Sequence, residues 1–287
     1  MAINMRTNLP GLAAQRNVGA TTDRLNMSYQ RLASGMRINK ASDDAAGLAI
    51  AENLRADTTK ASVAIRNAND AISVIAIADQ AIGQMSNILN RLSELAQQSA
   101  NGVYDLTQRS ALQNEFTALS TEIERIALTT AFNGIDLLSN GQNLTFQVGF
   151  DGSSLSQLSY NGINATLQAI GLADVGSSTP TYSITAETEL EAQSAARFAL
   201  EAISEALASV NRNRGNLGAL ESRLSTSINN LQVARENFKA AESQIRDLDV
   251  ASEAAELTRL NILQQAGAAV LAQANQQPAI AVQLLGR

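Results

Sequence analysis

Between Ala196 and Leu248 an apolar or small residue recurs at alternating intervals of three and four. Ala196, Ala199, Ile203, Ala206 and Val210 start the ladder, and Leu217, Leu220, Leu224, Leu231, Phe238, Ile245 and Leu248 carry it on. A matching ladder runs through Ala61, Ala64, Ala68, Ala71, Ile75, Ala78, Ile82, Met85, Leu89, Leu92 and Ala96. This spacing is the seam of a coiled coil, in which long helices bury a narrow stripe against each other. The two ends of the chain therefore need each other.

The segments between and beyond the ladders are read from their punctuation. Residues 9 to 36 carry a weaker helical stripe (Leu25, Tyr29, Leu32, Met36), interrupted by Gly11 and Gly19 and ending at Ser34-Gly35. So short a stripe predicts a helix that orders only against a partner. Ser42-Asp43-Asp44 offers side-chain oxygens and negative charge to a new helix start. That helix is expected to bend or break near Thr58-Thr59, run on to Ser99 and stop at Asn101-Gly102. A further helix is predicted from Asp105 to Thr129, antiparallel to it and ended by Phe132-Asn133-Gly134.

From 140 to 186 the period changes. Asn140-Gly141, Asp151-Gly152 and Asn161-Gly162 surround the alternating run Leu144-Thr145-Phe146-Gln147-Val148, which predicts two or three short strands with tight turns. The 196–248 ladder carries expected breaks at Arg214-Gly215 or Gly218. A tail from Leu257 to Asn275 follows, apolar on more than one side, with Pro278 as its expected stop and Ile280, Val282, Leu284 and Leu285 beyond. A helix with so broad an apolar surface calls for burial by other chains. The fold class is mainly α: long coiled-coil-like helices from both chain ends packed together, with a small β-hairpin region in the middle.

Composition narrows the chemistry. The 287 residues are 45% apolar but only 3% aromatic, which suits closely packed helices and an elongated shape. Cys and His are absent, which removes thiolate and imidazole chemistry and the usual zinc, haem and iron–sulfur ligands. Asp43-Asp44 is read as helix-start capping, and Asp247 and Asp249 lack the glycine and terminal Glu of a calcium loop. No catalytic residue, cofactor or metal site is predicted.

The net charge of −6 is uneven: residues 1 to 40 hold six basic side chains against one acid, and residues 101 to 200 hold ten acids against three basic residues. The basic residues are too dispersed, and aromatic stacking partners too few, for a nucleic-acid surface. The start of the chain shows no secretory signal pattern and no run is read as bilayer-spanning, so the expectation is either the cytoplasm or export by another route, without membrane insertion. Asn26-Met27-Ser28, Asn143-Leu144-Thr145 and Asn164-Ala165-Thr166 fit the common N-glycosylation pattern, and the Ser/Thr groups at 153–156 and 177–179 read as polar loops open to O-linked glycans.

Four stretches resemble bacterial flagellin: Arg31-Leu32-Ala33-Ser34-Gly35 through Ser42-Asp43-Asp44-Ala45-Ala46-Gly47-Leu48-Ala49-Ile50; Leu95-Ala96-Gln97-Gln98-Ser99-Ala100-Asn101-Gly102; Phe132-Asn133-Gly134; and Leu257-Thr258-Arg259 through Ile262-Leu263-Gln264-Gln265-Ala266-Gly267 to Gln277-Pro278. They cover both ends in order. The resemblance implies a short flagellin without large outer domains. Its expected organisation is 1–42 as the amino-terminal half of an inner-tube coiled coil, 43–139 as outer-tube helices, 140–187 as a β-hairpin region, 188–248 as the carboxy-terminal outer-tube helix, and 249–287 as the other inner-tube half. Leu25, Tyr29, Leu32, Leu257, Leu260, Leu263, Val270, Leu271, Leu284 and Leu285 are the expected inner-tube and inter-subunit packing residues.

The implied function is a structural subunit that polymerises into the flagellar filament for swimming, exported through the flagellar type III apparatus without a cleaved signal peptide and located outside the cell. Its implied partners are copies of itself, an export chaperone, and cap and hook-associated proteins. A hook–filament junction protein is the alternative, and the absence of His leaves no zinc motif for an enzymatic variant. By the same resemblance Arg91, Glu94, Leu95 and Glu115 correspond to positions that contact toll-like receptor 5 of animal hosts. The other reading of these four is that they serve subunit contacts alone.

Overall fold

The computed structural model describes residues 7–174, 177 and 179–285, with side chains described as far as residue 276. Five long helices dominate: α1 (Leu9–Ser34), α2 (Ala45–Ala100), α3 (Leu106–Thr129), α4 (Glu189–Arg246) and α5 (Val250–Leu285). Four short strands lie between α3 and α4: β1 (Ala131–Phe132), β2 (Ile135–Asp136), β3 (Leu144–Gln147) and β4 (Gln157–Tyr160). The chain divides into two compact units, one made of Met1–Thr58 with Glu236–Arg287, the other of Thr59–Arg235.

In the first unit α1 lies along α5. Asn8 donates to the Ala274 carbonyl and Gln264 to the Thr22 hydroxyl, so numbers rise along one helix as they fall along the other and the pair is antiparallel. The expected interruptions at Gly11 and Gly19 do not occur. Gly11 is buried within α1, and the αL conformation of Gly35 (φ 69°) closes the helix as the sequence suggests. Gly267 is the place where the two helices need a missing Cβ, since one built there would stand 2.9 Å from the Val18 methyl. Where α1 and α4 end, Met36 and Asp247 form an antiparallel bridge, and the Arg37 guanidinium donates to the Ile245 carbonyl at 2.7 Å.

Pro278 does not stop α5, which runs through it to Leu285. A proline inside a helix removes the N–H that would bond the carbonyl four residues back, here that of Ala274. The Asn8 side-chain amide fills that vacancy at 2.9 Å, while its Oδ1 accepts from the Gly11 N–H and caps α1. One side chain thus serves both helices.

In the second unit the seams meet as their spacing requires. Ala71, Ile75, Ala78, Ile82, Met85, Leu89 and Leu92 of α2 share one core with Phe116 and Ile123 of α3 and with Ala199, Ile203, Ala206, Val210 and Leu217 of α4. Two expected breaks are absent: α2 is continuous across Thr58-Thr59, and α4 across Gly215 and Gly218. The two glycines are exposed, and a Cβ added at either would meet nothing within 4 Å. A single Gly costs a helix only about 1 kcal/mol, far less than the buried seam supplies.

The sequence reading that no run could span a bilayer needs correction. An 18-residue window of α2 is long and apolar enough by composition, with a third of it buried. Its helix delivers Ala71, Val74, Ile75 and Ala78 to the core.

Asp105 caps α3 through a reciprocal pair with Gln108, each side chain bonded to the other's backbone N–H. Asn133-Gly134 makes a hairpin between β1 and β2, both residues at positive φ (50° and 76°) as a tight two-residue turn demands. β3 and β4 pair antiparallel with Leu144 opposite Tyr160 and Gln147 opposite Gln157. The Tyr160 hydroxyl donates to the Leu137 carbonyl, tying this second hairpin to the core.

Candidate assembly surfaces

The α1–α5 pair has a covered and an uncovered side. Leu25 and Leu260 are buried, and Leu32, Leu257 and Leu271 are half-buried. Tyr29 is 49% exposed, Leu263 45% and Val270 56%, so these three face away from the pairing. Ile262, at 62%, joins them although the sequence list of packing residues omits it. The side chains of Leu284 and Leu285 lie outside the described residues. Antiparallel pairing explains the division: α1 and α5 carry apolar side chains on more than one side, and one neighbour covers only one face.

Most charged contacts on this unit sit at its surface, while the Arg246 side chain is only 16% exposed. Glu256 and Arg259 form an ion pair one turn apart on α5, and that hydrogen bond holds the Glu256 carboxyl below its ordinary value. Arg246 pairs with Glu52 at 2.9 Å. Asp43 does not cap α2 as the sequence reading has it. Its carboxylate accepts from the backbone N–H groups of Lys40 and Asn39, which lower its pKa, and Asp44 takes the cap by accepting from Gly47.

In the second unit Arg91 of α2 bridges two acids. Its Nε is 2.9 Å from Glu115 of α3, and one terminal nitrogen is 2.8 Å from Glu94. The hydrogen bond to Glu94, then that to Glu115, raises the Arg91 pKa. All three side chains are exposed, between 44% and 67%. Leu95 is separate from them: it is fully buried in the core and offers nothing on that face. A helix puts Leu95 about 100° round from Glu94, which is enough to carry it from the surface to the seam.

Arg109 is the residue that sequence reasoning passed over. It is fully buried and has no acidic partner among the described residues; its guanidinium donates to the carbonyls of Ser99, Asn101 and Tyr104. These carbonyls belong to the end of α2 and the turn after it, where a cation meets the negative end of the helix dipole. Gln113 likewise holds the segment before α4, its side-chain oxygen accepting from the Ile184 N–H at 2.7 Å. A polar residue on an otherwise apolar helical face is the available signal for Arg109, but the identity of its partners is not encoded locally.

Among the described residues no group of three His, Cys, Asp or Glu side chains is placed to hold a metal ion. What the chain presents is extended helical surface, some of it apolar.

Comparison with known proteins shows the family. Residues 5–143 match the family described as the bacterial flagellin N-terminal helical region, and residues 200–285 match the bacterial flagellin C-terminal helical region. The flagellin of Halalkalibacterium halodurans is 42% identical over 279 residues, spanning 97% of this chain and 98% of that protein. This chain belongs to the bacterial flagellin family. The flagellin of Bacillus subtilis is 38% identical, and the flagellar filament 33 kDa core protein of Treponema phagedenis 36%, each over 97% of this chain and 98% of its own length. The alignments run nearly end to end with flagellins of similar size, so the short middle region of this flagellin is shared with them.

Proposed function

We infer that this flagellin is a structural subunit of the flagellar filament, polymerising outside the cell on the bacterial surface. The observation that carries the reading is the uncovered apolar side of the α1–α5 pair, with Tyr29, Ile262, Leu263 and Val270 between 45% and 62% exposed. Burying such side chains is worth about 1.5–3 kcal/mol each. A contact repeated from copy to copy without closing a ring builds an open helical filament. The inner tube is assigned to residues 1–42 and 249–287, and the outer tube to 43–248. The subunit acts mechanically and catalyses nothing.

The family resemblance supports the finer assignments. Export passes through the flagellar type III apparatus without a cleaved signal; a chaperone covers the carboxy-terminal segment beforehand, and cap and hook-associated proteins meet the filament at its ends. Arg91, Glu94 and Glu115 form the exposed face offered to toll-like receptor 5, with Leu95 supporting it from the core. Reversing the charges of Arg91 and Glu115 should reduce receptor signalling by monomer, and undiminished signalling would remove that role.

The assembly reading is tested by mixing purified monomer with short filament seeds and following elongation by electron microscopy. Growth of tubes from the seed ends is expected. A monomer that stays dispersed at high concentration in the presence of seeds would refute it.

A further inference from the structure

Two exposed apolar features of the second unit lie far apart on the same molecule. Leu155, in the single 3₁₀ turn between β3 and β4, is 96% exposed. It borders a hollow against α4 together with Arg223, which is itself exposed. The neighbouring acid, Asp151, is exposed, with its carboxylate tied up by the hydroxyls of Ser153 and Ser156. The hairpin tip therefore presents a greasy knob beside a cation.

Toward the start of α4 the arrangement is reversed. A groove of about 530 Å³ is lined by Tyr182, Ala195, Phe198 and Ala202, with Glu201 and Glu205 on its wall. Phe198 is 64% exposed, and both glutamates are exposed. Among the described residues neither Glu201, Glu205 nor Arg223 has an ion-pair partner. The groove is apolar with an acidic edge, and the knob is apolar with a basic one. The two have complementary charge.

They cannot meet within one molecule. The hollow beside Leu155 begins at Ser222 of α4, 24 residues beyond Phe198, or about 36 Å along a helix. A knob at one level and its matching groove at another form a heterologous pair, which adds copies head to tail and leaves both ends open.

We propose that the β3–β4 tip of one subunit docks in the Phe198 groove of the next copy of this chain, Leu155 entering between Tyr182 and Phe198 while Arg223 faces Glu201 and Glu205. This rests on the filament reading and names a contact within it. Rim charges of this kind set orientation and encounter rate more than affinity, so the pairing gives the subunits their direction as well as apolar contact.

The absence of cysteine in the natural chain supplies a clean test. A chain carrying both Leu155→Cys and Phe198→Cys is elongated from seeds, oxidised mildly and run on a non-reducing gel. A disulfide needs its Cα atoms within about 7 Å, so no bond can close inside one molecule. A ladder of covalent multimers, absent with either single cysteine, supports the contact. Filaments that dissolve to monomers on the gel overturn it and leave the filament reading standing, whereas failure of the unaltered chain to elongate overturns both. Should the double-cysteine chain not elongate, charge exchange decides. Arg223→Glu should slow seeded elongation at low salt by about tenfold, the equivalent of roughly 1.4 kcal/mol. Combining it with Glu201→Arg and Glu205→Arg should restore the rate to within about threefold. No slowing, or no restoration, overturns the proposal.

Discussion

Asn8 joins the cap of α1 to the proline of α5, and its two roles can be separated by substitution. Asn8→Asp keeps an oxygen for the Gly11 N–H, held at 3.0 Å in the structure, and places a negative charge favourably at a helix start. It loses the amide donor that stands 2.9 Å from the Ala274 carbonyl. Ala274 is only 6% exposed, so water reaches that carbonyl poorly. Stranding it costs about 1–3 kcal/mol, partly offset by the gain at the dipole. Asn8→Ala loses the cap as well, a further 1 kcal/mol or so.

Pro278→Ala provides the control, because an alanine N–H at 278 can satisfy the Ala274 carbonyl from within the helix. In that background Asn8→Asp should cost close to nothing. The difference between the two costs, a coupling of about 1–2 kcal/mol, isolates the Asn8–Ala274 bond. Chemical unfolding of dilute monomer followed by helical circular dichroism gives all four stabilities. Equal costs for Asn8→Asp with and without the proline would refute the reasoning, since the carbonyl would then not depend on the asparagine for its partner.

Arg109→Met keeps the length of the side chain but strands the carbonyls of Ser99, Asn101 and Tyr104 at the end of α2, so a loss of about 2–4 kcal/mol is expected in urea unfolding; a loss below about 1 kcal/mol would show that water replaces the guanidinium. Gly215→Ala and Gly218→Ala, exposed within α4 with open space at the Cβ position, should each raise monomer stability by up to about 1 kcal/mol, measured as a higher midpoint of denaturation. Asp43 has a folded pKa below its ordinary value because it accepts from the backbone N–H groups of Lys40 and Asn39. Its contribution is therefore present above the unfolded-state pKa and is lost as pH falls through the folded value. Asp43→Asn should remove that part of the acid dependence, and an unchanged pH profile of stability below pH ~4 would count against it.

The helices were legible because their seams repeat. A three-then-four period sustained over 50 residues outweighs single glycines, which is why Gly215 and Gly218 suggested breaks that do not exist. Period alone could not report the strength of burial on the far side of the helix. Pro278 is a similar case. The local rule is sound for a helix on its own, but a residue 270 positions earlier supplies what the proline removes. The hairpin at Asn133-Gly134 carried a plain turn signal that was read only as a helix stop, because strands of two residues leave no alternation to detect. Leu95 shows the limit for sites: adjacent in sequence to Glu94, it belongs to a different face, and a motif match does not carry that distinction.

Burial also separates the two units in kind. Among the described residues the buried apolar side chains of the first unit are Leu25, Ile38, Ala51, Leu260 and Ala274, of which two are alanines. The second unit buries Ile82, Met85, Leu89, Leu92, Leu95, Phe116, Ile123 and many more in one continuous cluster. At about 1.5–3 kcal/mol for each large side chain, the first unit has little apolar burial to set against the ordering of two long helices. Amides of α1 and α5 in dilute monomer should therefore exchange hydrogen far faster than those around Ile82 to Leu92, and become protected once filaments form. The order of protection follows from side-chain burial, since both units are built of long helices. Equal and strong protection of both units in the monomer would mean that the exposed Tyr29, Ile262 and Val270 cost the chain nothing when left in water, and the physical case for assembly through that face would fail.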